Sequence, residues 1–127
     1  MTDFLLRSVS MPSRLIVANE LAEIMKVIAH ADRIRLIEEL SKSPLDVSSL
    51  SAELELPAAR VSQHLALLKA HRMVIDERDG RRHVYRLTQP QLASWIVGGI
   101  EFIEARGTAP ERSTLEEAKR LWSQPTS

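Results

Sequence analysis

Leu21, Ile24, Met25 and Ile28 follow the i, i+3, i+4, i+7 spacing of one helical face, which predicts a first helix over about residues 18–29. His30 and Asp32 then offer capping side chains to a second helix with inner face Ile34, Ile37 and Leu40; Lys42 stands near its end and Pro44 stops it. A short third helix follows, capped by Asp46 or Ser48, with Leu50 and Leu54 facing inward and Pro57 closing the link to the next. Val61, Leu65 and Leu68 form the buried stripe of a fourth helix over about residues 58–71, so Arg60, Gln63 and Lys69 point elsewhere and Ser62 and His64 stand at the boundary. After Arg72 the period changes. Two β-prone runs, Val74 to Arg78 and His83 to Leu87, flank Asp79-Gly80, a hairpin signal. Leu92, Ile96, Ile100 and Ile103 then mark a long fifth helix containing Gly98 and Gly99.

Two adjacent glycines inside a helix cost roughly 1 kcal/mol each relative to alanine, and close approach of another helix would offset that. The apolar stripes of the first and fifth helices therefore point to a dimer seam, made of Leu21, Ile24, Met25, Ile28, Leu92, Ile96, Gly99, Ile100 and Ile103, the alternative being an intrachain core. At the C-terminal end Ser113 and Glu116 fit a capping box ahead of Leu115, Leu121 and Trp122, which predicts a short helix after a linker over residues 107–110, with a frayed tail as the alternative. The expected organisation is thus an arm or extra helix over residues 1–17, one domain over 18–106 and an extension over 107–127; Met11 is a second candidate start.

With 127 residues, 44% of them apolar and 27% charged, the chain has the make-up of one globular domain. No apolar run is long enough to span a membrane, and the N-terminus lacks the apolar region and cleavage site of a signal peptide, so the chain reads as cytoplasmic. Cysteine is absent, which excludes disulfides and thiolate metal sites. The net charge of zero hides a gradient: residues 57–87 carry seven Lys/Arg against three Asp/Glu, whereas residues 1–56 carry six against nine. A basic segment between acidic ones is either a footprint for phosphate or an ordinary fluctuation of composition.

Helix, helix, short helix, helix, hairpin, helix is the order of a winged helix-turn-helix domain, a mainly α fold with a small β-hairpin. Within it, "VIAHADRIRLIEEL", "VSSLSAELELPAARVSQHLALLKAHRMV" and "DGRRHVYRL" together resemble the ArsR/SmtB family of bacterial transcriptional repressors over Ile24 to Leu87, about half the chain. Two departures stand out, Ala31 for the usual proline and Pro57 where a serine commonly caps the fourth helix.

The resemblance implies that the fourth helix lies in the DNA major groove. Arg60 and Gln63 are then the base readers, since arginine pairs bidentately with guanine and glutamine with adenine. Ser62 and His64 would touch phosphate, Lys69 joins the same surface, and Arg78, Arg81 and Arg82 would form a wing reaching along the backbone or into the minor groove. Arg33 and Arg35 either contact phosphate or brace the fold.

The family's thiolate metal site would lie where this chain has Asp46-Val47-Ser48, and its other site where the chain has Gln89, Gln91, Phe102 and Ala105. Neither is a ligand set, and the four histidines show no i, i+4 pair, so no metal or cofactor is expected. An organic effector, another protein or no effector at all remain as the source of any signal. No Gly-rich phosphate loop, H-E-x-x-H motif or cysteine nucleophile is present, and Ser62 and His64 diverge on one helix, so no catalytic residues are expected. The expectation is a homodimeric repressor on a pseudo-palindromic operator in double-stranded DNA. The alternatives are a repressor released by a small organic ligand, with a pocket near Trp95 and Phe102, and a winged-helix protein-interaction module that has lost DNA binding.

Overall fold

Leu36, Ile37, Leu50, Val61, Leu65, Leu68 and Val74 are fully buried, and the chain is arranged around the contact they make. The computed structural model describes residues 2–107 and 111–123, with side chains from Pro12 to Gly107 and from Glu111 to Trp122; residues 108–110 of the expected linker and 124–127 of the expected extension lie outside the described residues. The elements run α1 (Thr2–Ile28), α2 (Ala31–Lys42), α3 (Val47–Leu54), α4 (Ala58–Ala70), β1 (Val74–Asp79), β2 (Arg82–Leu87), α5 (Gln91–Arg106) and α6 (Arg112–Ser123). This is the winged helix-turn-helix order. Among the described residues no helix is long and apolar enough to cross a membrane.

The local chemistry accounts for the boundaries. The His30 side chain accepts from the Asp32 amide and caps α2, while Asp46 accepts from the Ser49 amide at 2.8 Å and caps α3, so Asp32 and Ser48 are not the caps. Glu55 ends α3 in the left-handed region at φ 54°, a strained conformation for a residue with a Cβ. The Ser51 hydroxyl, donating to the Leu56 carbonyl, and the Arg35 guanidinium, donating to the Leu54 carbonyl at 3.1 Å, hold that turn. Arg33 donates through Nε to the Val27 carbonyl at the end of α1. Both arginines left open by the sequence are therefore braces.

Three elements differ from the sequence expectation. The first helix begins at Thr2 rather than near residue 18, so it passes through Pro12 and through the expected boundary at 17. An interior proline removes one backbone hydrogen bond and crowds the carbonyl four residues earlier, so Pro12 is a local weak point of α1. The hairpin turn is shifted by one residue: Asp79 pairs with Arg82, leaving Gly80 and Arg81 as the two-residue loop, with Gly80 at φ 65°. A positive φ at the first loop position suits glycine better than aspartate, which favours the register with Gly80 there. Finally, α6 starts at Arg112, and Glu116 pairs with Arg112 at 3.2 Å instead of closing a box on Ser113.

Leu36 joins Ile37 and Leu40 in the core, whereas Ile34 is only half-buried and faces a groove beside α5. Leu45 pairs with Tyr85 through two backbone hydrogen bonds of 2.9 and 3.1 Å, so the segment before α3 extends the hairpin. Leu115 is buried, and Trp122 packs against the central cluster, which seats α6 beside α5. Because Leu65 is fully enclosed, Leu65→Ala is expected to cost about 3 kcal/mol of stability. Urea denaturation followed by circular dichroism measures this; a loss below about 1 kcal/mol would show that the α4 contact is not part of the stable core.

Candidate nucleic-acid interface

Burial of Val61, Leu65 and Leu68 on one side of α4 leaves Arg60, Ser62 and Gln63 exposed at its N-terminal end. Pro57 makes no side-chain cap there. Among the described residues no side chain accepts from the first-turn amides of α4, and such a helix start favours an anion.

Not every residue expected on this surface is free. Lys69 pairs with Asp76 at 2.7 Å, which ties the end of α4 to β1 and raises the Lys69 pKa. Arg82 pairs with Asp46 at 3.3 Å, fastening the hairpin tip to the start of α3; hydrogen bonding from Ser49, then from Arg82, lowers the Asp46 pKa. Along the hairpin, Arg86 pairs with Glu77 at 3.0 Å and His83 with Asp76 at 2.6 Å. Arg60, Arg78 and Arg81 are exposed, and among the described residues their side chains have no ion-pair or hydrogen-bond partner. The surface thus offers three uncommitted guanidinium groups, one at the start of α4 and two at the hairpin tip.

His64 departs from the expectation. Its side chain is only 12% exposed, turned back from Ser62 and Gln63 towards the start of α2. There Nε2 lies 3.5 Å from Asp32 Oδ2 and Nδ1 lies 3.3 Å from Arg33 Nη1. A guanidinium can only donate, so Nδ1 accepts and Nε2 carries the proton. Burial first, and then the charges of His30 and Arg33, depress the His64 pKa. With Nδ1 bonded to Arg33 and Nε2 turned towards Asp32 inside the chain, His64 does not belong with the exposed set.

His30, Asp32 and His64 form a cluster that the sequence could not reveal, because His64 is far from the other two along the chain. At the positions of the family's metal sites, Asp46 is committed to Ser49 and Arg82, while Gln89, Gln91, Phe102 and Ala105 are exposed side chains without a carboxylate or imidazole among them.

A second surface lies along α1 and α5. Met25, Ile28, Ile34, Trp95, Ile96, Gly99, Ile100 and Ile103 line an apolar groove of about 380 Å³. Met25 is 58%, Trp95 48% and Phe102 66% exposed, and further along α1 Leu15, Ile16, Val17 and Leu21 also face outward. A Cβ added at Gly98 or Gly99 would meet nothing within 4 Å, so among the described residues no other helix approaches them. The expected seam is divided: Ile24, Ile28, Leu92 and Ile96 also pack against the chain's own core, whereas Leu21, Met25 and Gly99 are open.

Comparison with known proteins bears on the family and the fold. Residues 30–76 match the family model described as bacterial regulatory protein, arsR family. The chain is 36% identical over 78 residues to the HTH-type transcriptional repressor SmtB of Mycobacterium tuberculosis, covering 61% of this chain and 58% of that protein. It is 31% identical over 85 residues to the HTH-type transcriptional regulator KmtR of the same organism, covering 67% and 65%. In both cases the match spans less than two thirds of the relative's length. The regulator Rv0081 of M. tuberculosis is 34% identical over 99 residues, which cover 77% of this chain and 86% of Rv0081. Its crystal structure superposes with a TM-score of 0.64 over 70% of this chain and 90% of that one, at 27% identity. These relatives are regulators of transcription and not enzymes.

The Lys69–Asp76–His83 contact gives the hairpin a pH dependence. Hydrogen bonds from Lys69 and His83 push the Asp76 carboxyl from 3.8 down to about 2. A carboxyl more acidic in the folded chain adds stability above its unfolded pKa and loses it as pH falls through the folded one. Thermal melting temperature is therefore expected to fall between about pH 4 and pH 2 more steeply in the natural chain than in Asp76→Asn. Parallel curves for the two proteins would refute the contact.

Proposed function

The chain belongs to the ArsR family of bacterial regulatory proteins, and from that premise we propose that it is a sequence-specific DNA-binding transcriptional repressor working as a homodimer on a pseudo-palindromic operator. The observation that carries this reading is the exposure of Arg60, Ser62 and Gln63 on the face of α4 opposite its buried stripe, together with the uncommitted Arg78 and Arg81. Arg60 and Gln63 read base edges. Ser62 and the α4 start hold phosphate. Arg78 and Arg81 follow the backbone or enter the minor groove, Arg82 joins them from its tie to Asp46, and Lys69 positions α4 against β1 rather than reaching DNA.

A second copy covers the α1/α5 groove, which is supported by the open glycines and the exposed Met25, Trp95 and Phe102. A two-fold axis there presents two α4 helices about 34 Å apart to successive major grooves, and the bound dimer blocks polymerase. The family's two metal positions play no part in this activity.

Fluorescence anisotropy with a labelled duplex from the protein's own upstream region, beside a scrambled duplex at physiological salt, tests the reading. Binding tighter to the native fragment by more than ~100-fold is expected. Arg60→Ala should lose about 1–3 kcal/mol and part of the discrimination, while Arg81→Ala should weaken both duplexes alike and flatten the salt dependence. Equal weak binding to every duplex, after selection from random sequences, would instead favour a protein-interaction module. For the dimer, Ile100→Glu places a charge in the α1/α5 groove and should yield a monomer by sedimentation equilibrium. A natural chain that is already monomeric at micromolar concentration would overturn that part of the proposal.

A further inference from the structure

A ring nitrogen of His30, a ring nitrogen of His64 and a carboxylate oxygen of Asp32 lie within 4.8 Å of one another. Two elements supply them: His30 and Asp32 open α2, and His64 stands on α4 beside Gln63. The imidazole centroids are 4.6 Å apart with planes inclined by 56°, so the rings converge without stacking face to face. His64 Nε2 and Asp32 Oδ2, at 3.5 Å, stand beyond the ~2.7–3.2 Å span of a good N–H···O bond. That separation is close to the ~3.4 Å edge of a tetrahedron whose metal–ligand bonds are about 2.0–2.1 Å.

We propose that His30, Asp32 and His64 bind one divalent first-row cation of borderline softness, Zn²⁺, Co²⁺ or Ni²⁺, and that the cation fastens α4 to the start of α2. Two imidazoles and one carboxylate suit these ions better than Mg²⁺ or Ca²⁺, which favour all-oxygen shells, and the absence of cysteine disfavours thiophilic ions. Three protein ligands leave further positions to water.

The cation competes with contacts of the metal-free chain. The ring nitrogen His64 gives to metal must hold a lone pair; if it is Nε2, the ring proton moves to Nδ1, and if it is Nδ1, the metal takes the place of the Arg33 donor. Either way the 3.3 Å contact to Arg33 opens. His30 likewise gives up the bond its Nδ1 accepts from the Asp32 amide at 3.1 Å. A metal–imidazole bond outweighs one such neutral hydrogen bond. Arg33 also holds the Val27 carbonyl at the end of α1, so its release alters the link between α1 and α4. The regulatory consequence, a change in operator affinity on metal loading, rests on the DNA-binding reading, whereas the site itself does not.

The full-length protein, stripped of metal with a chelator, is titrated with Co²⁺ and followed by its visible absorption bands, with Zn²⁺ added afterwards to displace it. One Co²⁺ per chain is expected, with bands that vanish on Zn²⁺ addition. His30→Gln and His64→Gln should each weaken binding at least about 10-fold, while His71→Gln and His83→Gln leave it unchanged. Circular dichroism establishes that each variant is folded. Arg33→Met, which removes the competing donor, should tighten binding. No saturable bands, or bands that survive in a folded His30→Gln/His64→Gln double variant, would overturn the proposal. The two readings fail separately: a protein that binds Co²⁺ but no duplex retains the site and loses the DNA function, and one that binds its operator but not Co²⁺ does the reverse.

Discussion

The docking of α4 through Val61, Leu65 and Leu68 is the constraint on which the rest depends. A helix that buries one stripe has its opposite face determined by geometry, so enclosing these three side chains presents Arg60, Ser62 and Gln63 to solvent. The surrounding bonds refine the same contact. Arg35 holds the end of α3, Lys69 holds the end of α4 against β1, and Arg33 with His64 holds the middle of α4 to α2. The exposed face is thereby carried on a helix secured at several points along its length, as a surface that must keep a fixed register against a partner requires.

A chain with no net charge can still offer a cationic surface, because what an incoming phosphate meets is the charge left after internal pairing. Asp46 and Asp76 absorb Arg82, Lys69 and His83, and Glu77 absorbs Arg86, so part of the basic excess of residues 57–87 is spent on holding the hairpin in place. Arg60, Arg72, Arg78 and Arg81 remain, Arg72 at the turn after α4 and the other three at the start of α4 and the hairpin tip. The same division separates side chains that shape the site from those that can change partner without disturbing the fold.

The element order, the buried stripe of α4 and the two-stranded hairpin were legible from periodicity and from glycine and proline positions, because these follow from local geometry. The ends of elements were less so. Gly80 rather than Asp79 opens the hairpin loop, the positive φ there suiting glycine better than aspartate, and α1 runs on past its apolar stripe and through Pro12, an extension for which no spacing rule gave a sign. The pairing of Arg82 with Asp46 and the meeting of His64 with His30 and Asp32 were not legible, since each joins residues from separate elements and no spacing rule reaches across the fold. Arg33 and Arg35 illustrate the same limit: their charge suggested phosphate, and only their acceptors, the Val27 and Leu54 carbonyls, identify them as braces.

Gly98 and Gly99 lie open in α5, where each lowers the helix's intrinsic stability and neither is compensated by a neighbour among the described residues. With the proposed second copy as their cover, the compensation would arrive only on association, and part of the folding free energy of α5 would become a function of how much protein is present. Dilution of such a dimer would act on the fold as well as on the assembly. The cellular abundance of the protein would set the fraction of chains whose α5 is fully formed, linking synthesis of the regulator to its own competence by mass action alone.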